Sequence, residues 1–362
     1  GGALLFAGPS LIANKQGDTL SYIILANMLC YMPTLGLSNT VAFTNIKDRN
    51  DFPALRVWGT IGWIVAGLVV GGLGMSSSPK IFIMAGAAGV LLGLLCFALP
   101  KTPPPSRDKP ISIGTLFMVD ALKLMTSIPF AVFIICSMLV CIPLAYYYAY
   151  TAVYLPQIGF QATASTMALG QISEIFFMLL VPFFFRKLGV KVMILIGMLG
   201  WVARYALFAM GAPDQVVWMI LAGVILHGVC YDFFFVTGFM YTDNKAPKEV
   251  RGQAQALLVF FTQGLGMFFG YWIAEIKFEA LRQQSDALSA AIETTTFGFW
   301  ESFGKMFLAQ KPEVDASITQ AAMEGWKTFW MFPCFMAFAI ALVFAITFWD
   351  KYKEEDPNNP AQ

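Results

Sequence analysis

Residues 221–241, LAGVILHGVCYDFFFVTGFMY, decide what kind of protein this chain forms. The stretch is long and apolar enough to cross a bilayer as a helix, which takes ~20 residues. It nevertheless carries an acid near its middle, Asp232, and the only histidine of the chain, His227. A charged side chain at the centre of a membrane helix costs at least ~2.5–3.5 kcal/mol. We therefore expect these side chains to line a polar cavity inside a helical bundle, through which a solute passes.

The composition of the whole chain is typical of a membrane protein. Of its 362 residues, 58% are hydrophobic and 12% are charged, whereas soluble domains are ~45–50% apolar and ~25% charged. The net charge of +1 leaves no basic excess for binding a nucleic acid. The sequence has neither an HExxH nor a GxSxG motif, and the single histidine also argues against a membrane enzyme. We expect an all-α, multi-pass membrane protein that is not an enzyme.

Polar or proline-rich breaks divide the apolar sequence into about ten spans. Four precede residue 100, the first of them partial, and six follow residue 129. The expected spans are 1–13, 19–43, 52–74, 81–99, 130–155, 165–185, 190–210, 216–241, 254–276 and 329–349. A break followed by six spans is typical of transporters built from two related halves. The chain begins at Gly1, inside an apolar run, so we expect the first two helices of the fold to be missing.

This pattern predicts the domain organisation. Residues 1–99 would be an incomplete N-terminal half, and residues 130–350 a complete C-terminal half. Residues 100–129 would be the linker between the halves, because the stretch KTPPPSRDKP contains too many prolines for a helix. The linker ends in ISIGTLFMVDALKLM, an amphipathic stretch that we expect on the membrane surface.

Basic residues are shared unevenly between alternate loops. In one set of alternate loops, the short loops hold only Lys15 and Lys80. The richer set comprises Lys47, Arg49, Lys101, Arg107, Lys109, Lys123, Arg186, Lys187, Lys191, Lys245, Lys248, Arg251, Lys351 and Lys353. By the positive-inside rule the richer set is cytoplasmic, together with the tail at 351–362. Residues 277–328 would then be an external insertion of one or two amphipathic helices. The insertion would either act as a gate or be a lineage-specific addition without that role.

The span after Asp51 carries a polar stripe. Arg56, Thr60 and Trp63 follow one another at i, i+4 and i+7, so they share one face of a helix. A guanidinium and a hydroxyl can hydrogen-bond a polar, planar ligand, and an indole can stack on it. The alternative is that Arg56, near the end of the span, extends to the membrane surface.

A second polar pair lies in the stretch LGQISEIFF. Gln171 and Glu174 are three residues apart and therefore share a face. An amide beside a carboxylate suits a ligand with hydroxyl groups, and a carboxylate in mid-span is not expected to face lipid. The alternative is a structural ion pair between Glu174 and Arg204 of the next span.

In the opening stretch, His227 and Tyr231 are four residues apart and stack on one face. Asp232 lies ~140° away from His227 around the helix, so we do not expect the two to point at one spot. A carboxyl group in a partly dry cavity favours its neutral form, which suits a group that loads and releases a proton. Packing roles remain open for His227 and Asp232.

Tyrosines crowd the span CIPLAYYYAYTAVYL. Tyr147, Tyr150 and Tyr154 fall on one side of a helix, and Tyr148 lies elsewhere. Tyr148 is a candidate for stacking on a ligand, whereas Tyr154 suits the aromatic belt at the membrane surface.

Five segments give the chain a specific resemblance. They are YMPTLGLSNT (31–40), DFPALRVWGTIGW (51–63), QISE (171–174), RYALFA (204–209) and YDFF (231–234). Together they closely resemble the nucleoside:proton symporter family of the major facilitator superfamily, which includes the enteric nucleoside and xanthosine permeases. The resemblance runs in order over most of the chain and is weakest at the proline-rich break and the external insertion.

The resemblance implies a twelve-helix facilitator fold, with Gly1 in the third helix. It also implies roles for the residues at the matching positions. Nucleoside binding falls to Arg56, Thr60, Trp63, Tyr148, Gln171, Glu174, His227 and Tyr231, and proton coupling to Asp232 and Glu174. His227 replaces a tyrosine, and Ala145 and Tyr148 stand where the enteric permease has two amides, which affects how the substrate is held.

The function implied is proton-coupled nucleoside uptake by alternating access, with protons as the coupling ion and no other cofactor. We expect a monomer in the bilayer of a bacterial inner membrane. Two alternatives remain, a sugar or oligosaccharide symporter of the same fold and a facilitator-like receptor that does not transport.

Overall fold

A computed structural model describes residues 1–72, 78–103, 114, 118–292 and 297–350, and it is helical almost throughout. The longer helices are α1 (Gly2–Ala13), α2 (Gly17–Asn45), α3 (Phe52–Gly72), α4 (Ile81–Ala98), α6 (Ile128–Ile158), α7 (Thr163–Gly211), α8 (Val217–Lys245), α9 (Arg251–Ala291) and α11 (Ala316–Thr347). Two short helices are α5 (Val119–Leu122) and α10 (Phe299–Gly304). Among the described residues, seven helices are long and apolar enough to cross a membrane: α2, α4, α6, α7, α8, α9 and α11.

Helix α7 contains two of the expected spans. Its 49 residues would extend ~74 Å at 1.5 Å per residue, more than twice the ~30 Å of a bilayer core. Gly189, with φ 70° and ψ 173°, interrupts the helix. Only glycine adopts such a backbone conformation without strain. The break therefore lies between the expected spans 165–185 and 190–210.

Residues 277–328 carry parts of three helices. Helix α9 continues to Ala291, α11 begins at Ala316, and α10 is the one helix among the described residues between them. The buried residues Phe278, Leu281 and Leu288 extend the apolar stripe of α9 at helical spacing.

The start of α11 is set by a side chain outside the membrane-spanning segment. The Asp315 carboxylate accepts hydrogen bonds from the backbone N–H of Ser317 at 2.7 Å and from its hydroxyl at 2.6 Å. These bonds lower the pKa of Asp315 below its usual value. An acceptor at this position satisfies backbone donors that the first turn of a helix leaves free.

The core lies mainly in α6–α8 and α11, where aromatic rings pack against one another. Tyr154 belongs to this core rather than to a surface belt, so that expectation is wrong. Its ring lies 5.4 Å from the ring of Trp330, and its hydroxyl donates to the carbonyl of Phe208 at 2.8 Å. Tyrosine is commonly buried in this way when its hydroxyl finds a partner.

Contacts between distant parts of the chain place the site. Helix α3 packs against α7, and α2 packs against α9. Only parts of the expected linker are described, chiefly α5 and the 3-10 turn Lys123–Thr126. Residues 111–113 and 115–117 of the amphipathic stretch lie outside the described residues. The tail at 351–362 also lies outside them.

Candidate functional site

Helices α7 and α8 meet through small residues next to the expected site. A methyl group at Gly228 would lie 2.5 Å from the carbonyl oxygen of Ser173, and backbone atoms cannot yield as a flexible side chain does. The Gly228 N–H donates to the Ser173 hydroxyl at 3.0 Å. This close approach brings Glu174, the residue after Ser173, towards His227, the residue before Gly228.

Glu174 is the centre of the site. Its side chain is buried, and Oε1 accepts a hydrogen bond from the Thr60 hydroxyl at 2.7 Å. His227 Nε2 lies 3.7 Å from Glu174 Oε2. Three residues expected to bind the substrate therefore come together from α3, α7 and α8.

The alternative ion pair between Glu174 and Arg204 does not describe the structure. The Arg204 guanidinium donates from Nε to the carbonyl of Gly223 at 3.0 Å. It also lies 4.2 Å above the centre of the Tyr147 ring, a favourable position for a cation over an aromatic face. Glu174 pairs with Thr60 and His227 instead.

Aromatic rings form a column along one wall. Tyr147 stacks on His227 with centroids 5.4 Å apart, and His227 stacks on Tyr231 at 5.5 Å. Tyr231 continues the column to Phe235 at 4.6 Å. Tyr148 meets His227 edge-on at 6.3 Å. The expected stack of His227 on Tyr231 is thus present in the structure.

Arg56 faces the same region from α3. Its guanidinium lies close enough to Tyr231, Glu174 and Asp232 to interact with them electrostatically. The side chain is half-buried. The structure therefore directs Arg56 into the protein, contrary to the alternative in which it extends to the membrane surface.

Asp232 is fully buried at the start of a π-helical segment of α8, Asp232–Val236. Within the described ranges, neither of its carboxylate oxygens has a hydrogen-bond partner. Single π-helical turns within α-helices are frequently found at functional sites. His227 approaches Glu174 rather than Asp232, as the helical geometry of the sequence predicts.

Two of the expected residues lie at the edge of this cluster. The Trp63 indole, one turn after Thr60, is 68% exposed. Gln171 is half-buried, one turn before Glu174. The structure places both on the same elements as Thr60 and Glu174 but gives neither a direct partner in the cluster.

Sequence reasoning did not assign site roles to Tyr147, Ser173 and Gly228. Tyr147 was placed on a helix face, and its contact with Arg204 depends on how α6 packs against α7. The signal for Gly228 was its position directly after the only histidine. A glycine beside a polar residue in an apolar span often allows close backbone approach.

The cluster combines properties that suit a polar, planar solute. Thr60 and Tyr231 offer hydroxyl groups, Arg56 offers donors and Glu174 offers acceptors. The stacked rings provide apolar faces. Two carboxyl groups, Glu174 and Asp232, are buried in this region.

Comparison with known proteins agrees with this chemistry. The model of the family described as nucleoside H+ symporter matches residues 2–354. YegT of Escherichia coli (strain K12) is 36% identical over 359 residues, which cover 95% of this chain and 77% of YegT. The nucleoside permease NupG of the same strain is 31% identical over 269 residues, covering 70% of this chain and 64% of NupG.

A solved structure is similar along nearly the whole chain. A crystal structure of the nucleoside transporter NupG has a TM-score of 0.64 and 27% identity, covering 97% of this chain and 81% of that chain. The all-helical fold described above is therefore shared with a solved transporter. On the family match and the similarity to YegT, the chain belongs to the nucleoside H+ symporter family.

Proposed function

We propose that this protein imports nucleosides together with protons by alternating access. The observation that carries the proposal is the buried cluster around Glu174, which joins polar groups from α3, α7 and α8. Buried polar groups of this kind are expensive in a membrane protein and mark pathways for solutes or protons. Family membership supports nucleosides as the solute.

The cluster supports a division of roles. The nucleobase would stack against Tyr231, with Trp63, Tyr148 and His227 as further ring contacts. The ribose and base edges would hydrogen-bond Arg56, Thr60, Gln171 and Glu174. A ligand that approaches Oε1 of Glu174 would compete with Thr60, whose hydroxyl donates to that oxygen at 2.7 Å.

Asp232 and Glu174 would carry the coupling proton. Burying a carboxylate is costly unless it is protonated or paired, and neither oxygen of Asp232 has a hydrogen-bond partner among the described residues. One proton moving inward across 100 mV supplies ~2.3 kcal/mol. This energy supports roughly fifty-fold accumulation of the solute before any pH gradient is added.

The proposed architecture has two halves. Residues 1–99 contribute to the first, residues 130–350 form the second, and residues 100–129 connect them. The asymmetry of basic loops supports a cytoplasmic C-terminal tail in a bacterial inner membrane. We propose that a single chain is the transporting unit.

Uptake measurements test the proposal. The protein is expressed in a host that lacks nucleoside uptake, and entry of labelled uridine, adenosine and lactose is followed with and without a protonophore. We expect a nucleoside to accumulate and the protonophore to prevent it. Entry of lactose without either nucleoside would indicate a sugar symporter, and nucleoside binding without uptake would indicate a receptor.

A further inference from the structure

Gly59 lies directly beneath the guanidinium of Arg56. The two residues are three positions apart on α3, and the side chain of Arg56 bends along the helix surface over Gly59. A methyl group at residue 59 would overlap Nη1 of Arg56. Arg56 can hold this conformation only because residue 59 has no side chain.

The described structure shows no packing contact that requires a glycine at residue 59, apart from the contact with Arg56. Within 4 Å of a methyl group at residue 59, the contacts found in the described structure are Nη1 and Cζ of Arg56, the latter at 3.7 Å. No neighbouring helix supplies a contact there in the described part of the chain. Gly59 therefore differs from Gly228, where a methyl group would meet the backbone of another helix.

The helix itself gains nothing from glycine at this position. Glycine within a helix is less favourable than alanine because it loses more backbone freedom on folding. The residue is exposed and lies well inside α3, away from its ends. Among the described residues, a methyl group at residue 59 would therefore meet Arg56 alone.

We propose that Gly59 is a positioning residue that sets the place of the Arg56 guanidinium beside Tyr231 and opposite Glu174. The inference rests on the proposed function, because it takes Arg56 to be a substrate-binding residue. An added methyl group must push Nη1 off the helix surface. Arg56 would then approach the substrate from a different position, and the affinity for nucleosides would fall.

The test is Gly59→Ala, with Gly62→Ala as its matched control on the same helix. In the part of the chain that the structure describes, no atom lies within 4 Å of a methyl group at residue 62. The probe is labelled uridine, or adenosine if uridine is not taken up. We expect Gly59→Ala to raise KM about tenfold, the effect of losing one hydrogen bond to a charged group. Gly62→Ala should leave KM unchanged, and neither variant should lower the melting temperature.

A double-mutant cycle separates this role from a general effect on the helix. If Gly59 acts through Arg56, the rise in KM on Gly59→Ala disappears in an Arg56→Ala background. A rise of the same size in that background would overturn the inference, as would an unchanged KM in Gly59→Ala alone. A melting temperature lowered by Gly59→Ala but not by Gly62→Ala would also overturn it.

The same measurements distinguish this inference from the proposed function. If Arg56→Ala alone leaves nucleoside uptake unchanged, the role of Arg56 in binding is wrong, and the inference about Gly59 fails with it. If Arg56→Ala weakens uptake but Gly59→Ala does not, the proposed function stands and only the positioning role is rejected.

Discussion

At the scale of single residues, the two buried acids differ in what surrounds them. Glu174 has a hydroxyl partner in Thr60 and an imidazole nearby in His227. Asp232 has no hydrogen-bond partner for either oxygen among the described residues. In the proposed mechanism, a substrate would replace a partner of Glu174, whereas Asp232 would bind a proton alone.

We predict that Asp232→Asn keeps substrate binding but loses proton-driven accumulation. The amide has nearly the same size and hydrogen-bonding groups, but it cannot gain and lose a proton at neutral pH. Uridine affinity, measured by binding to purified protein, should stay within about twofold. The ratio of internal to external uridine should fall from as much as roughly fifty-fold to about one.

The control is Asp214→Asn, which changes an exposed acid in the turn between α7 and α8. It should leave both binding and accumulation unchanged. Unchanged accumulation in Asp232→Asn would remove Asp232 from the coupling mechanism and leave Glu174 as the remaining candidate.

The sequence predicted that Glu174 and Asp232 are buried, and the structure buries both. Glu174 and Asp232 stand in apolar spans, so their presence in a polar cluster follows from the cost of exposing them to lipid. Their partners could not be predicted in the same way. The bond between Thr60 and Glu174 joins residues 114 positions apart and depends on how α3 packs against α7.

At the scale of helices, Gln157 joins several elements of the second half. Its side chain is fully buried near the end of α6. The amide nitrogen donates to the Ser285 hydroxyl at 2.8 Å and to the Ser289 hydroxyl at 2.7 Å, both on α9. The amide oxygen accepts from Trp326 Nε1 on α11 at 2.6 Å. One side chain thus holds three helices together.

We predict that Gln157→Ala lowers the stability of the protein. Removing the amide leaves the Trp326 N–H buried without its acceptor, and a buried unsatisfied group costs ~1–3 kcal/mol. The measurement is the thermal melting of the purified protein in detergent. Gln161→Ala, an exposed position in the following turn, should melt like the parent protein. Equal melting of the two variants would show that the Gln157 contacts contribute no net stability.

The boundaries of α9 and α11 show why part of the fold was not predicted. Charged residues after Ile276 indicated a loop, yet several of them pair on the surface of α9. Arg282 binds Glu279 through Nε at 2.6 Å and also pairs with Glu275. Charges that pair along one face are compatible with a continuous helix. The apolar residues Phe278, Leu281 and Leu288, which recur at helical spacing, indicate the end of α9 better than the charged residues do.

At the scale of the whole molecule, two of the contacts between the proposed halves in the described residues bear on transport. One is the bond between Thr60 of α3 and Glu174 of α7. The other is a close approach of α2 to α9, where a methyl group at Gly36 would lie 3.2 Å from Cα of Ala256. Gly252 faces Thr40 one turn away. The proposed alternating access requires the halves to move relative to each other, so we expect the second contact to open in each transport cycle.

We predict that a cross-link between α2 and α9 stops transport. A Cβ atom at residue 252 would lie 3.6 Å from Cγ2 and 3.7 Å from Oγ1 of Thr40, so side chains at the two positions would touch, as the two cysteines of a disulfide must. The pair Thr40→Cys and Gly252→Cys should therefore form a disulfide under a mild oxidant. Uridine uptake should fall to background and return when the disulfide is reduced.

Each single cysteine variant serves as a control, because the oxidant should not change its uptake. Mass spectrometry of the linked peptides shows whether the intended pair has formed among the native cysteines. Full uptake by the cross-linked protein would mean that α2 and α9 stay together throughout transport. Alternating access would then have to proceed without separating this surface, and the halves would have to open at the contacts of α3, such as that between Thr60 and Glu174.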